Sequence, residues 1–209
     1  YDFYNFNNFK FKKNYLKSEL NISLDKKIIC YCGSLGGVYL FNEMIDFFTR
    51  LKKKNDKYIF LIMTNTLEIA IKEIKKIKDI NIKNSIIIKT VNREKIPLYL
   101  SIVDIMIVFI NDTYARQASS PTKIAEAFAM GIPIVSNRNV GDIDNILKKY
   151  NAGISVDIRD EKNLEEAVLN VSSYKKIDGN ELRNRTRKVF GLEFAKKKYL
   201  NIYKSLINL

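Results

Sequence analysis

The chain has 209 residues, of which 46% are hydrophobic, enough for one sizeable α/β domain and short for two. It carries 36 Lys and Arg against 23 Asp and Glu, a formal net charge of +13, and it contains no His. The absence of His excludes a Ser-His-Asp triad and the usual His-bearing metal sites. No run of about 18 apolar residues or signal-peptide pattern is present, so we expect a soluble domain.

The positive charge favours anionic partners without identifying one. Phosphates and anionic membrane surfaces both fit it, which allows peripheral contact with the inner face of the membrane. Nucleic acid is also compatible, but the sequence contains no recognition motif specific for it.

Strand and helix patterns alternate along most of the chain. In order, they predict a strand at 28–32, a helix at 38–54, a strand at 58–63, a helix at 67–78, a strand at 85–89, a short helix at 96–102, a strand at 104–110, a helix at 121–130, a strand at 132–136, a helix at 142–149, a short strand at 153–156, helical structure at 164–171, and two helices within 179–209 divided near Gly191. This alternation predicts an α/β fold with a doubly wound, mostly parallel Rossmann-like sheet of about six strands. We assign residues 1–24 to an interdomain linker and lead-in, and residues 25–209 to the domain.

Two cysteines lie in the first predicted strand. Cys30 and Cys32 are two residues apart, so they share one face of that strand and are poorly placed for a disulfide. We expect both to be reduced core residues of a cytoplasmic protein.

Ligands of doubly wound sheets bind beyond the carboxyl ends of the strands. This rule directs attention to the loops at 33–37, 90–92 and 111–122, which follow the first, third and fourth predicted strands.

The helix predicted at 121–130 has the most informative sequence. Ser120 can cap it, Pro121 suits its first position, and Gly131 suits a left-handed residue that closes it. Lys123 opposes the helix dipole unless an anion lies in front of it, and Glu126, on the same face, can accept two hydrogen bonds from a ribose diol. The alternative is a solvated Lys–Glu surface pair.

Several motifs, in order, resemble the C-terminal donor domain of GT-B glycosyltransferases, family 4 (glycosyl transferases group 1). They are S-P-T-K-I-A-E-A-F-A-M-G-I-P-I-V-S at 120–136, I-I-C-Y-C-G-S-L-G at 28–36, I-P-L-Y-L-S-I-V-D-I-M-I-V-F-I at 96–110, and Val140-Gly141-Asp142. The first three residues resemble the end of an interdomain linker.

The resemblance implies a role for each matching residue. Glu126 matches the second glutamate of the E-x7-E signature, which holds the nucleotide ribose, and Lys123 matches a basic position near the diphosphate. The glycine loop matches the loop under the donor phosphates, and 90–92 match the segment that lines the base. The implied nucleotide-sugar site consists of Gly33, Ser34, Gly36, Gly37, Thr90, Val91, Asn92, Arg116, Ser119, Ser120, Thr122, Lys123 and Glu126.

Two departures from the family pattern affect the predicted chemistry. Ala118 stands where the first glutamate of E-x7-E is expected, so its contact with the sugar is lost or passes to Arg116, Gln117 or Ser119. Residues 38–41 offer no cation near the glycine loop, which leaves Lys123, Arg116 and helix N-termini to neutralise the diphosphate.

The implied activity is transfer of a sugar from a UDP- or GDP-sugar to a hydroxyl acceptor, with retention and without a required metal. The resemblance implies a glycan or lipid-linked acceptor in bacterial surface polysaccharide synthesis, bound by an N-terminal domain outside this chain. We expect the chain alone to bind donor weakly and to transfer no sugar.

Three alternatives stay open at this point: another GT-B enzyme such as a nucleotide-sugar epimerase, a non-catalytic family member, and a basic module for nucleic acid or membranes.

Two motifs are discounted. Asp142-Ile143-Asp144 reads D-x-D, but its place at a helix start favours capping over metal binding. The loop at 33–37 is not G-x-G-x-x-G, so NAD binding is not expected.

Overall fold

The computed structural model describes residues 13–119, 122–173 and 178–207. The strands are β1 (Lys27–Cys32), β2 (Tyr58–Met63), β3 (Ile86–Lys89), β4 (Ile105–Val108), β5 (Ile134–Asn137) and β6 (Gly153–Val156). The helices are α1 (Lys13–Glu19), α2 (Phe41–Lys54), α3 (Leu67–Lys75), α4 (Ile80–Asn84), α5 (Ile96–Leu100), α6 (Thr122–Ala129), α7 (Ile143–Tyr150), α8 (Glu161–Ser172), α9 (Gly179–Phe190) and α10 (Leu192–Ile207), with 3-10 turns at Arg93–Lys95 and Tyr114–Ala118.

The six strands form one parallel sheet in the order β3-β2-β1-β4-β5-β6. Cys30, in the middle of β1, pairs with Leu61 on one side and Met106 on the other. The chain adds strands in one direction from β1 and in the other from β4, so the topological switch point lies between these two strands. The doubly wound prediction is confirmed, and the loops after β1 and β4 flank the crevice where such sheets bind ligands.

Apolar layers cover both faces of the sheet. Cys30 and Cys32 point into a layer formed with α1, α5, α6 and α7, whereas Ile29 and Tyr31 point into a layer formed with α2, α3, α4 and α8. Both cysteines are buried and free, as predicted. The alternation along β1 explains why its whole sequence is apolar, since a central parallel strand is covered on both sides.

The described part of the lead-in contributes to the first of these layers. Leu16 of α1, with Leu20 and Ile22 after it, is buried there. Residues 1–12, where the sequence predicts linker, lie outside the described residues, and the domain boundary at residue 25 stays a prediction.

Two local differences separate the predicted elements from the observed ones. Helix α2 begins at Phe41 rather than at residue 38, because Leu40 N donates to Phe109 O (3.0 Å) and Tyr39 forms an antiparallel bridge with Ile110. Helix α4 was not predicted; Asp79 accepts hydrogen bonds from its first N–H groups. Five residues are too few to show a helical period.

The C-terminal stretch divides at Gly191 into α9 and α10, as predicted. Tyr199, Ile202, Tyr203 and Leu206 of α10 are between 55% and 64% exposed. None of the described helices combines the length and apolar character needed to cross a membrane.

Candidate functional site

The loops that follow β1, β2 and β3 are joined by side-chain hydrogen bonds at the carboxyl edge of the sheet. Thr90 Oγ1 donates to Thr64 O (3.0 Å), and the hydroxyls of Thr64 and Thr66 lie 2.9 Å apart. Leu35 N donates to Thr66 Oγ1 (2.8 Å), which brings the glycine loop into the same network. The edge predicted to bind ligand is therefore a connected rim of short polar side chains.

The glycine loop has a backbone that side-chain-bearing residues rarely adopt. Gly33, Gly36 and Gly37 have φ values of +144°, +85° and +62°. Ser34 Oγ, between them, donates to Asn65 Oδ1 (3.1 Å) on the loop after β2. A loop of this kind allows a ligand to approach the main chain closely.

Lys123, the second residue of α6, reaches over the end of β1 to this loop. Its side chain is only 8% exposed, and its ammonium donates to the hydroxyl of Tyr31 (3.2 Å). The ammonium also lies 3.5 Å from the ring centroid of Tyr39 and 4.7 Å from that of Tyr31. The alternative interpretation as a solvated surface pair is therefore wrong.

Burial makes this cation titrate closer to neutrality than an ordinary lysine. Desolvation lowers the pKa of Lys123 to about 8, against the opposing effects of Cys32 and Glu126. Burial, and then Glu126, raise the pKa of Cys32 to about 11, so this thiol is protonated at neutral pH. At pH 7 Lys123 is therefore still mostly protonated. Because its ammonium is buried, keeping that charge costs free energy unless an anion lies nearby.

Glu126 lies one helical turn after Lys123 on α6. Its side chain is 12% exposed, and Oε1 lies 3.5 Å from Nη2 of Arg93, whose own side chain is 84% exposed. Arg93 was not among the predicted site residues, although it directly follows the predicted segment 90–92. Lys123, Glu126 and Arg93 all act electrostatically on Cys32, which places the three charges around the end of β1.

The remaining predicted residues divide between the rim and its surroundings. Val91 is half-buried against the core, Asn92 is exposed before the 3-10 turn, and Thr122 is exposed at the start of α6. Asn92 directly precedes Arg93 and Thr122 directly precedes Lys123, so these two residues adjoin the charged cluster along the chain.

The loop after β4 is described in part. Arg116 and Ala118 belong to its 3-10 turn, where Ala118 is exposed; the side chains of Arg116 and Gln117 lie outside the described structure. The carbonyl oxygen of Ser119 packs against Gly141, where no Cβ fits. The predicted cap Ser120 and Pro121 lie outside the described residues, whereas Gly131 has the predicted left-handed conformation (φ +67°).

The two aspartates of the D-x-D sequence have a structural role, which differs in part from the predicted capping of α7. Asp144 accepts hydrogen bonds from Asn139 N (3.1 Å) and from the hydroxyl of Ser155. Asp142 occupies the N-cap position of α7 but makes no capping hydrogen bond, because its backbone is not in the extended conformation that capping uses. The capping prediction is therefore wrong for Asp142. Across residues 13–119, 122–173 and 178–207, no group of three or more Cys, Asp or Glu side chains could hold a metal ion.

The strand order is that of a Rossmann-like domain, and the charged cluster lies at the edge where such domains bind ligands. A family model described as "Glycosyl transferases group 1" matches residues 12–189. The chain belongs to this family. Among curated proteins, no sequence matches the chain.

Solved structures share this fold at low sequence identity. WaaG, a glycosyltransferase involved in lipopolysaccharide biosynthesis, matches with TM-score 0.63 and 10% identity over 88% of this chain and 48% of its own. Anabaena HepE, solved with UDP and glucose, matches with TM-score 0.71 and 13% identity over 100% of this chain and 55% of its own. The chain therefore spans about half the length of these two proteins.

A third structure has nearly the same extent as this chain. It is the C-terminal domain of LpcC, a glycosyl transferase group 1 family protein from Francisella tularensis. The match has TM-score 0.68 and 15% identity, and it covers 92% of this chain and 99% of the LpcC domain.

Proposed function

We propose that this chain is the donor-binding domain of a glycosyltransferase that moves a sugar from a nucleotide diphosphate sugar to a hydroxyl acceptor. The observation that carries the proposal is the Lys123 ammonium, which lies against Gly33 at the switch point of the sheet, one helical turn from Glu126. Family membership, the UDP bound to HepE, and the isolated LpcC domain support it.

In this proposal, each group at the edge has one task. The diphosphate lies over the glycine loop, where Lys123 supplies positive charge, and Glu126 accepts hydrogen bonds from the ribose hydroxyls. The leaving diphosphate gains negative charge as the sugar–phosphate bond breaks, so a cation fixed in advance lowers that barrier. The loop at 90–92 faces the base.

A thermal-shift series with UDP, GDP and ADP tests donor binding by the 209-residue chain. We expect a nucleoside diphosphate to raise the melting temperature, because a ligand that binds only the folded state stabilises it. Glu126→Gln should reduce the shift, whereas Glu166→Gln, which removes an exposed carboxylate on α8, should leave it unchanged. No shift with any of the three nucleotides would contradict the proposal.

The acceptor is assigned to an N-terminal domain outside this chain, and is a glycan or a lipid-linked sugar. The exposed apolar face of α10 offers that domain a surface. The chain alone should therefore transfer no sugar from UDP- or GDP-sugars, and any transfer by it would contradict this assignment. Retention of anomeric configuration, measured by NMR on the product of the complete enzyme, is part of the same proposal.

We place the activity in bacterial surface polysaccharide synthesis, in the cytoplasm at the inner face of the membrane. WaaG, which shares the fold, acts in lipopolysaccharide biosynthesis, and the net charge of +13 favours anionic lipid. Binding to phosphatidylglycerol vesicles that weakens with salt, and no binding to phosphatidylcholine vesicles, is the expected result. Equal binding to both would contradict the electrostatic part.

A further inference from the structure

Tyr39 is held rigidly at the edge of the sheet, although it precedes α2 in an irregular segment. Its main chain bridges Ile110 in antiparallel fashion, and Asn111 N donates to Val38 O (2.8 Å). The buried side chain of Asn137, at the end of β5, in turn donates to Ile110 O and accepts from Ile110 N, both at 2.8 Å. The segment after β4, held by the end of β5, therefore fixes the main chain at Tyr39.

This ring forms one wall of an aromatic cage around the Lys123 ammonium. Tyr31 forms the other wall, with the two ring centroids 5.9 Å apart and their planes at 65°. The Tyr31 hydroxyl accepts from Lys123 and donates to Ser34 O (2.6 Å), which connects the cation to the glycine loop. The cage and the loop thus share one hydrogen-bonded link.

The cage leaves the ammonium with capacity to bind an anion. An ammonium has three N–H donors, and within the described part of the chain Lys123 uses one in a hydrogen bond, to Tyr31. Residues 38–41 carry no cation. What this segment places beside the ammonium is the aromatic face of Tyr39. A desolvated ammonium over an aromatic face is stabilised by the ring quadrupole.

We propose that Tyr39 is a positioning residue, whose ring holds the Lys123 ammonium at the glycine loop and so sets the affinity for the donor diphosphate. This inference rests on the proposed function.

Calorimetric titration of the 209-residue chain with UDP tests the role of the ring. Tyr39→Leu removes the aromatic face and should weaken UDP binding about tenfold. Tyr39→Phe is the matched control: it keeps the ring, and UDP affinity should stay within about twofold of the unmodified chain. Loss of affinity in Tyr39→Phe equal to that in Tyr39→Leu would overturn the inference, because the ring face would then be irrelevant.

A double-mutant cycle separates positioning of Lys123 from a general structural effect. In the Lys123→Met background, Tyr39→Leu should cause no further loss of UDP affinity, since no ammonium is left to position. Losses that add in full would show that Tyr39 acts independently of Lys123 and would overturn the inference. Circular dichroism confirms folding, and if Tyr39→Leu does not fold, Tyr39→Met takes its place in the cycle.

The same titrations distinguish this inference from the proposed function. If the unmodified chain binds no nucleotide, or if Lys123→Met binds UDP as well as the unmodified chain, the proposed donor site is wrong. If Lys123→Met weakens binding while Tyr39→Leu leaves it unchanged, only the positioning role of Tyr39 is wrong.

Discussion

The ammonium of Lys123 occupies the space that a side chain at Gly33 would need. A Cβ placed on Gly33 would lie 2.5 Å from Nζ of Lys123 and 3.5 Å from the Tyr31 hydroxyl. The glycine lies in the loop after β1, whereas the lysine lies in the first turn of α6, the helix that follows β4. Gly33 therefore has two roles: it allows the backbone conformation of the turn, and it leaves space for the Lys123 ammonium.

Gly33→Ala should impair both stability and UDP binding. At φ +144° any side chain strains the backbone, which costs about 1–3 kcal/mol of unfolding free energy. The methyl group also displaces the ammonium, and the loss of a hydrogen bond to a charged group should weaken UDP binding about tenfold or more. Denaturant unfolding and calorimetry measure the two effects.

The two effects of Gly33→Ala can be separated in the Lys123→Met background. There the loss of stability should persist, because the strain remains, whereas the further loss of UDP affinity should be small. An equal affinity loss in both backgrounds would show that the loop backbone, and not the displaced ammonium, carries the effect.

Lys123→Met should stabilise the fold at neutral pH while it weakens donor binding. A fall in the pKa from 10.5 to about 8 corresponds to a cost on the order of 3 kcal/mol for the folded charged form. The substitution removes that cost and loses the contacts with the two rings, so we expect a net gain of about 1–2 kcal/mol. Lys162→Met, on the exposed surface of α8, is the control and should change the free energy of unfolding by less than about 0.5 kcal/mol.

The size of this effect depends on pH. The unfolded chain binds more protons at this lysine between pH 8 and 10.5, so the unmodified chain gains stability as pH rises through that range. The advantage of Lys123→Met should therefore be largest below pH 8 and disappear near pH 10.5. An advantage that is constant across this range would contradict the assigned pKa.

Donor binding should weaken as pH rises through about 8, because only the protonated Lys123 attracts the diphosphate. Calorimetric titrations with UDP from about pH 7 to about pH 10 should show affinity falling by up to about tenfold per pH unit above the midpoint. Lys123→Met should lose this dependence over the same range. A flat profile for the unmodified chain would mean that the ammonium does not contact the ligand.

The sequence predicts the fold well because its signals are local. Each strand is a short apolar run, and the helices of ordinary length show a helical period, so the six parallel strands and most helices lie where predicted. Helix α4 was missed because five residues show no period. The start of α2 was misplaced because the bridge between Tyr39 and Ile110 is a contact between distant segments, which no local pattern reports.

For the candidate site, the sequence indicates residues that lie in one motif more readily than residues that the fold brings together. Lys123 and Glu126 share α6, and the approach of Lys123 to Gly33 follows from the parallel sheet. Tyr39 and Arg93 were missed because their contacts with α6 cross the sheet edge. The aromatic cage has no sequence signature, since Tyr31 reads as an ordinary core residue of β1.

The close approach of α6 and α9 gives a prediction about the helix that carries Lys123. Gly131, just after α6, has φ +67°, and a Cβ there would overlap the backbone of Gly179 at the start of α9. Gly37 has a similar φ of +62°, but nothing lies within 4 Å of the position of its Cβ. The pair therefore offers the same backbone strain with and without a steric conflict.

Gly131→Ala should lower the free energy of unfolding by about 3 kcal/mol or more, since α9 must move away in addition to the left-handed strain. Gly37→Ala should cost only the strain, about 1–2 kcal/mol. Denaturant unfolding of the two variants measures the difference, which isolates the contact between the helices. Equal losses would mean that α9 moves away from Gly131 without a cost in unfolding free energy. The position of α6 would then not depend on its packing against α9.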